Sequence, residues 1–333
     1  MIFPWALSQW QQLVQRVNEQ RLPHAMLFCG IEGLGKFDVA RKFAQSLLCQ
    51  QPDDNHMPCN QCRSCSQFEA NTHPDYLFIE PDEEGKAIKV DQIRLLVDQF
   101  GLASHYGAYR VAIINPAESM NLAAANSLLK SLEEPPDNTV IILVSSQSAS
   151  LPSTILSRCQ RINFSSPSTD MAVNWLNKHH SDLMKSEIDG QESALLAMAN
   201  GAPLKAIKTA DSELIQQREQ MFELLLAIAD GAESALGANK QWLKAGITTP
   251  IQWVYSWISD LIKVKIHLQQ AIVNHDKSAD LQKLAKQVEL SNLYSFLDSI
   301  LDILKKQRAP LNTQMIMDDL LLDWEAITAT KQS

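Results

Sequence analysis

In the first half of the chain, short apolar runs alternate with segments whose hydrophobic positions recur at helical spacing. Ala25-Met26-Leu27-Phe28-Cys29, Tyr76-Leu77-Phe78-Ile79-Glu80, Arg110 to Asn115, Val140-Ile141-Ile142-Leu143-Val144 and Arg161 to Phe164 read as strands. Helices are expected from about Lys36 to Leu48, Val90 to Phe100 and Asn121 to Leu132. Continuous apolar strands separated by helices predict a parallel sheet covered on both faces. Beyond Phe164 the pattern changes. Ser165-Ser166-Pro167-Ser168 is a polar linker with an N-cap at Ser168 or Thr169, and no strand-like run follows. Short helices are expected over Thr169 to Ala210, with Gly201-Ala202-Pro203 between them. Longer ones are expected at Met221 to Ala229, Ile251 to Gln269, Leu281 to Val288, Leu293 to Lys306 and Leu311 to Ile327. The expected organisation is an α/β domain over residues 1–166, a small helical domain over 167–210 and an all-α domain over 211–333.

A length of 333 residues suits two or three domains, and a hydrophobic fraction of 45% is that of an ordinary globular chain. No apolar run approaches the roughly 18 residues needed to span a bilayer. Met1-Ile2-Phe3-Pro4-Trp5 lacks a basic and an apolar leader region, so no signal peptide is read and the cytosol is the expected compartment. A net charge of −9 without a run of Lys and Arg argues against the chain gripping nucleic acid by itself.

Between the first strand and its helix lies Gly30-Ile31-Glu32-Gly33-Leu34-Gly35-Lys36-Phe37. In the phosphate-binding pattern G-x-x-x-x-G-K-[ST], backbone amides wrap the phosphates, the lysine neutralises them and the hydroxyl holds magnesium. Gly30, Gly33, Gly35 and Lys36 are in place as candidate phosphate contacts, but Phe37 stands where the hydroxyl belongs. A phenyl ring cannot ligate a hard cation that requires oxygen. The third strand should end in an acidic pair and instead runs into Asn115-Pro116-Ala117-Glu118. Asn115 is a poor magnesium ligand, Pro116 cannot act as a base, and Glu118 lies too far along to be assigned as a substitute. Hydrolysis by this chain is not expected. Whether the loop still holds a phosphate weakly or only preserves the strand–helix turn is left open.

Cys49, Cys59, Cys62 and Cys65 follow the spacing C-x9-C-x2-C-x2-C between the first helix and the second strand. Four thiolates at such separations close a tetrahedron around Zn²⁺ with no open position, which makes a structural metal the expected occupant. Unliganded thiols and an iron–sulfur cluster are the alternatives, and disulfides are disfavoured in a reducing compartment. His56 and His73 are candidate substitute ligands, with ordinary loop roles the default. Cys29 at a strand end and Cys159 at the end of a short helix are expected to be small core residues.

Ala123-Ala124-Ala125-Asn126-Ser127-Leu128-Leu129-Lys130-Ser131-Leu132-Glu133-Glu134-Pro135-Pro136, followed by Leu156-Ser157-Arg158-Cys159, resembles the head of the clamp-loader AAA+ ATPases. The cysteine insertion matches the bacterial branch, and the resemblance extends over head, lid and a tail like the family's collar. It implies a subunit of the DNA polymerase III clamp loader, with motor subunits of the gamma/tau type and a delta subunit as partners. Through that complex it would meet the sliding clamp and primed DNA. It further implies that Arg158 reaches into a neighbour's ATP site as an arginine finger. A guanidinium suits that task, since it stays protonated and stabilises charge developing on the γ-phosphate. Ser145 or Ser146 falls at the family's γ-phosphate sensor, with a strand-end cap as the simpler role. Leu204 replaces a second sensing arginine. Trp253 and Trp257 are expected to pack in the core.

Three functions compete at this point. A non-hydrolysing clamp-loader subunit that supplies Arg158 in trans fits every departure from the motor pattern. An active P-loop ATPase motor would need unconventional magnesium ligands, against which Phe37, Asn115 and Pro116 all count. A zinc-ribbon nucleic-acid module with an accessory head is opposed by the acidic charge.

Overall fold

The computed structural model describes residues 2–83, 85–100, 109–179, 192–208, 210, 212–236, 248–306 and 313–329. The chain divides into two compact units, Met1–Pro167 and Ser168–Ser333.

The first unit is built on five parallel strands, β1 (Ala25–Cys29), β2 (Tyr76–Ile79), β3 (Arg110–Ile114), β4 (Thr139–Ser145) and β5 (Gln160–Asn163). Their order in the sheet is β2-β3-β4-β1-β5. Every residue of β1, β3 and β4 is buried, as a strand covered on both faces requires. The rim strands differ: β2 is half-buried throughout, and in β5 only Ile162 is buried. In register, Leu27 of β1 lies opposite Leu143 of β4 and Arg161 of β5. One face carries Ala25, Leu27, Ala112, Ile114, Ile141 and Leu143 against helices α4 (Val90–Phe100) and α5 (Leu122–Glu133). Asn121 is the N-cap of α5, its side chain accepting the Ala124 N–H at 2.8 Å.

Three helices of this unit depart from the expected set. Helix α1 (Leu7–Asn18) precedes β1 and buries only Gln9, Trp10 and Leu13. Helix α3 (Arg63–Glu69) follows α2 (Lys36–Leu48) inside the cysteine segment. Helix α6 (Ser153–Leu156) is shorter than expected and ends before Cys159, which is buried in the link to β5.

The second unit contains no strand among the described residues. Helices α7 (Thr169–His179), α8 (Glu192–Met198) and α9 (Pro203–Lys208) gather around Ala172, Leu176, Leu195, Leu196 and Ala206. Ser168 caps α7, its hydroxyl accepting the Met171 N–H at 3.3 Å. A larger core is built by α10 (Ser212–Ala229), α11 (Thr248–Lys265), α12 (Ser278–Gln287), α13 (Leu290–Lys306) and α14 (Thr313–Ala329). Trp253 and Trp257 are both buried in it. Helix α11 stops four residues before the expected Gln269. His267 takes a left-handed conformation (φ 63°), and the Leu268 N–H turns back to the Lys263 carbonyl at 2.8 Å. The start expected for the last helix, Leu311, lies outside the described residues.

A buried polar cluster ties α10 to the segment after α11. The Arg218 guanidinium, 1% exposed, donates to Asp276 at 2.6 and 3.2 Å and to Asn274 Oδ1 at 2.9 Å. It also lies 5.5 Å from the Trp257 ring centroid. Asp260 accepts the amide N–H groups of Val273 at 3.0 Å and Asn274 at 2.7 Å. Removing the guanidinium leaves buried Asn274 Oδ1 without its donor while Asp276 can turn to solvent, so Arg218→Ala should cost about 1–3 kcal/mol. Denaturant unfolding of the whole chain, monitored by tryptophan fluorescence, checks this; a loss under about 1 kcal/mol would mean water replaces the guanidinium.

Candidate functional site

The loop between β1 and α2 is a tight glycine turn onto which other parts of the first unit pack. Gly30 is required by close approach: a Cβ there would meet the Phe164 carbonyl oxygen at 2.4 Å. Gly35 is left-handed (φ 77°), and a Cβ on it would strike the Phe3 ring at 2.2 Å. The Phe3 ring therefore lies directly on the loop. It stacks on Trp5 with centroids 5.1 Å apart, and Trp5 Nε1 donates to the Leu34 carbonyl at 3.0 Å. The chain's own N-terminal segment is pinned across the glycines.

Lys36 is engaged inside the protein. Its ammonium donates to the Ile31 carbonyl at 2.6 Å and to Ser146 Oγ at 3.1 Å. Burial lowers its pKa to about 8, opposed by the negative charges of Glu118 and Glu32. Glu118, which its spacing left without a role, returns to this loop. The 3₁₀ turn Ala117–Ser119 carries it back so that Oε1 accepts the Ser146 N–H at 2.9 Å, while Oε2 is buried without a hydrogen-bond partner among the described residues. The Glu118 carboxylate thus lies close enough for its charge to act on the Lys36 ammonium. Ser145 Oγ accepts the Gln147 N–H at 3.2 Å, the strand-end cap. The Phe37 ring packs on Phe78 of β2 at 5.1 Å between centroids, so the side chain at this position makes an aromatic contact and offers no oxygen. Burial raises the thiol of Cys29 and pushes that of Cys159 up to about 12, which keeps both protonated and unreactive.

Arg158 follows α6 and is partly exposed. Its guanidinium donates to the Thr154 carbonyl at 3.0 Å and to Ser157 Oγ at 3.1 Å, and pairs with Glu133 Oε1 at 2.6 Å. Leu204, at the expected place of a second sensing arginine, is half-buried in the first turn of α9 and brings no cation there.

Cys49, Cys59, Cys62 and Cys65 come together with all four sulfurs within 4.8 Å of one another. Separations of 3.5 Å (Cys49 to Cys59) and 4.0 Å (Cys49 to Cys62, Cys59 to Cys65) exclude disulfides. A tetrahedron with metal–sulfur bonds of about 2.3 Å has edges of about 3.8 Å, so the four sulfurs are spaced to hold such an ion. Backbone N–H groups point at the sulfurs: Gln51 and Cys59 to Cys49 at 3.4 Å, Cys62 to Cys59 at 3.3 Å, and Cys65 to Cys62 at 3.4 Å. Amide donors from Gln61 and Cys62 lower the Cys59 pKa to about 6, while desolvation raises Cys49 and Cys65. Amides aimed at sulfur favour thiolate, the form that binds metal. The two histidines stand apart from the cluster. His56 Nε2 meets Asn18 Oδ1 at 2.8 Å, and buried His73 Nε2 meets Ser64 Oγ at 2.9 Å.

A parallel sheet with a glycine–lysine loop after its first strand, and helices beyond it, is the architecture of a AAA+ P-loop protein. Family models described as "DNA polymerase III, delta subunit" and "DNA polymerase III, delta subunit, C terminal" match residues 6–168 and 212–326. DNA polymerase III subunit delta-prime of Pseudomonas aeruginosa is 31% identical, covering 98% of this chain and 98% of its own. The Haemophilus influenzae subunit delta-prime is 32% identical over 94% of this chain and 91% of its own. The chain belongs to the family of DNA polymerase III delta-prime subunits, which are clamp-loader subunits. A solved gamma subunit-related protein of Thermotoga maritima is 21% identical, with a TM-score of 0.40, over 96% of this chain and 99% of that one.

Proposed function

We propose that this chain is the non-hydrolysing member of the bacterial DNA polymerase III clamp loader and offers Arg158 in trans to a neighbouring motor subunit. The observation that carries the reading is the contrast between two sites on one domain. Phe3 lies across the chain's own glycine loop, Phe37 offers no oxygen there and Lys36 is engaged by Ile31 and Ser146, whereas Arg158 keeps its guanidinium partly in solvent. The loop then serves as a rigid strand–helix turn and carries no ATP. Residues 167–210 act as the lid and 211–333 as the collar that joins gamma/tau-type and delta subunits. The four cysteines hold structural zinc: Cys49, Cys59, Cys62 and Cys65 supply thiolates, and the metal supplies a cross-link within the head. The protein works in the bacterial cytoplasm and meets clamp and primed DNA through the assembly; among the described residues no helix is long and apolar enough to cross a membrane.

The test is reconstitution. The purified chain with Mg-ATP should give no turnover. Motor and delta subunits should co-purify with it, and clamp loading onto primed DNA should require it. Turnover by the isolated chain would favour the motor reading, and a complex that loads clamps equally well without it would end the proposal.

A further inference from the structure

Arg158 is restrained by groups of its own chain, and the restraint has a functional consequence. Its guanidinium bends back over α6 to Thr154 O and Ser157 Oγ and reaches Glu133, the last residue of α5, at 2.6 Å. The negative end of a helix adds to the carboxylate in holding a cation there. We propose that Glu133 is a positioning residue that latches Arg158 in a folded-back, charge-neutralised state, released when a neighbouring subunit presents its triphosphate. This rests on the reading of Arg158 as an arginine finger.

Glu133 is 50% and Arg158 35% exposed, so the pair is a half-solvated surface ion pair that contributes at most about 1 kcal/mol. A γ-phosphate in a closed interface is a stronger partner, since it offers the guanidinium bidentate, charge-assisted bonds in a drier site. A carboxylate remaining beside that phosphate would repel it, so the pair has to open as the finger engages. The latch is weak enough to be broken by the substrate and strong enough to keep the finger from engaging unoccupied or mispaired surfaces.

The test uses the reconstituted complex with Glu133→Gln, Arg158→Ala and the double variant, with Glu134→Gln as a neighbouring control. Glu133→Gln should lower the ATP concentration for half-maximal turnover about 2–5-fold with kcat maintained, a factor equivalent to about 0.4–1 kcal/mol. The gain should shrink as salt rises from 50 to 300 mM, because screening weakens the exposed pair in the native protein. In the Arg158→Ala background Glu133→Gln should change nothing, and Glu134→Gln should resemble the native complex. A fall in kcat on Glu133→Gln, or no change at any salt, would overturn the latch while leaving the finger intact. Failure of the finger assignment itself would be read separately, as turnover left unchanged by Arg158→Ala.

Discussion

In the assembled complex, Arg158→Ala is expected to slow ATP hydrolysis at the site it faces by about a thousandfold while leaving the subunit folded and bound. A finger's guanidinium is worth roughly 10³–10⁵ in rate, about 4–7 kcal/mol of transition-state stabilisation. Nothing comparable holds the head together at this position. Arg158 makes an exposed pair with Glu133 and bonds within its own turn, so its loss should cost folding under about 1 kcal/mol. The two effects are therefore separable. Single-turnover hydrolysis in the reconstituted complex reads the first, and gel filtration with thermal melting reads the second. Only the recipient site should slow, so steady-state turnover falls by that site's share while the slow phase grows in single turnover. Arg158→Lys should recover little, because an ammonium lacks the planar fork that spans two phosphate oxygens. Hydrolysis unchanged in every phase would remove Arg158 from the mechanism.

What could be read from the chain followed physical rules of differing range. The strands β1, β3 and β4 were legible because two-sided burial demands uninterrupted apolar residues, and all of their residues are buried. The cysteine cluster was legible because its ligands are close in sequence and need little folding to meet. Features that depend on long-range return of the chain were not. Phe3 lies far from Gly35 in sequence, and no local pattern says that an aromatic at the start will rest on a loop after the first strand. Glu118 reaches Ser146 only because the turn after β3 folds back, so its spacing from the strand was a poor guide to its place. The Glu133–Arg158 pair joins two motifs that are each readable alone but whose contact is tertiary. Helix α1 was legible but not anticipated: Leu7, Trp10, Leu13, Val14 and Val17 recur at helical spacing. Helix α3 starts from a cap that composition does not reveal, the Cys62 sulfur accepting the Cys65 N–H at 3.4 Å. Helix α11 ends before the expected Gln269 for a similar reason, since the stop is made by the backbone of His267 and not by a glycine or proline.

Removal of the metal should be the most disruptive single change to the head, and it should spread in a defined direction. Structural zinc in small peptides contributes about 10–16 kcal/mol of apparent binding free energy, which in a folded domain appears as stability of the segment it closes. Here that segment is tied to the sheet by a buried polar chain. Ser64 Oγ donates to the Leu48 carbonyl at 2.5 Å and meets His73 Nε2 at 2.9 Å. His73 Nδ1 accepts the Asp75 N–H at 3.1 Å, and Asp75 pairs with Arg110 at the start of β3 at 3.4 Å. Loss of the metal frees α3 first and then the β2 edge, while β1 and β4 keep their buried ladders on both sides. Native protein should carry one zinc per chain and be colourless, and Cys62→Ser should carry much less. In that variant, amide exchange should speed up in residues 49–79 well before it does in 139–145, and the head should melt at lower temperature. Acidification should release the metal as protons compete for the thiolates. Protein that holds no zinc after purification under reducing conditions, with its exchange unchanged by Cys62→Ser, would mean that packing alone closes the module; iron absorbance in its place would reassign the ion.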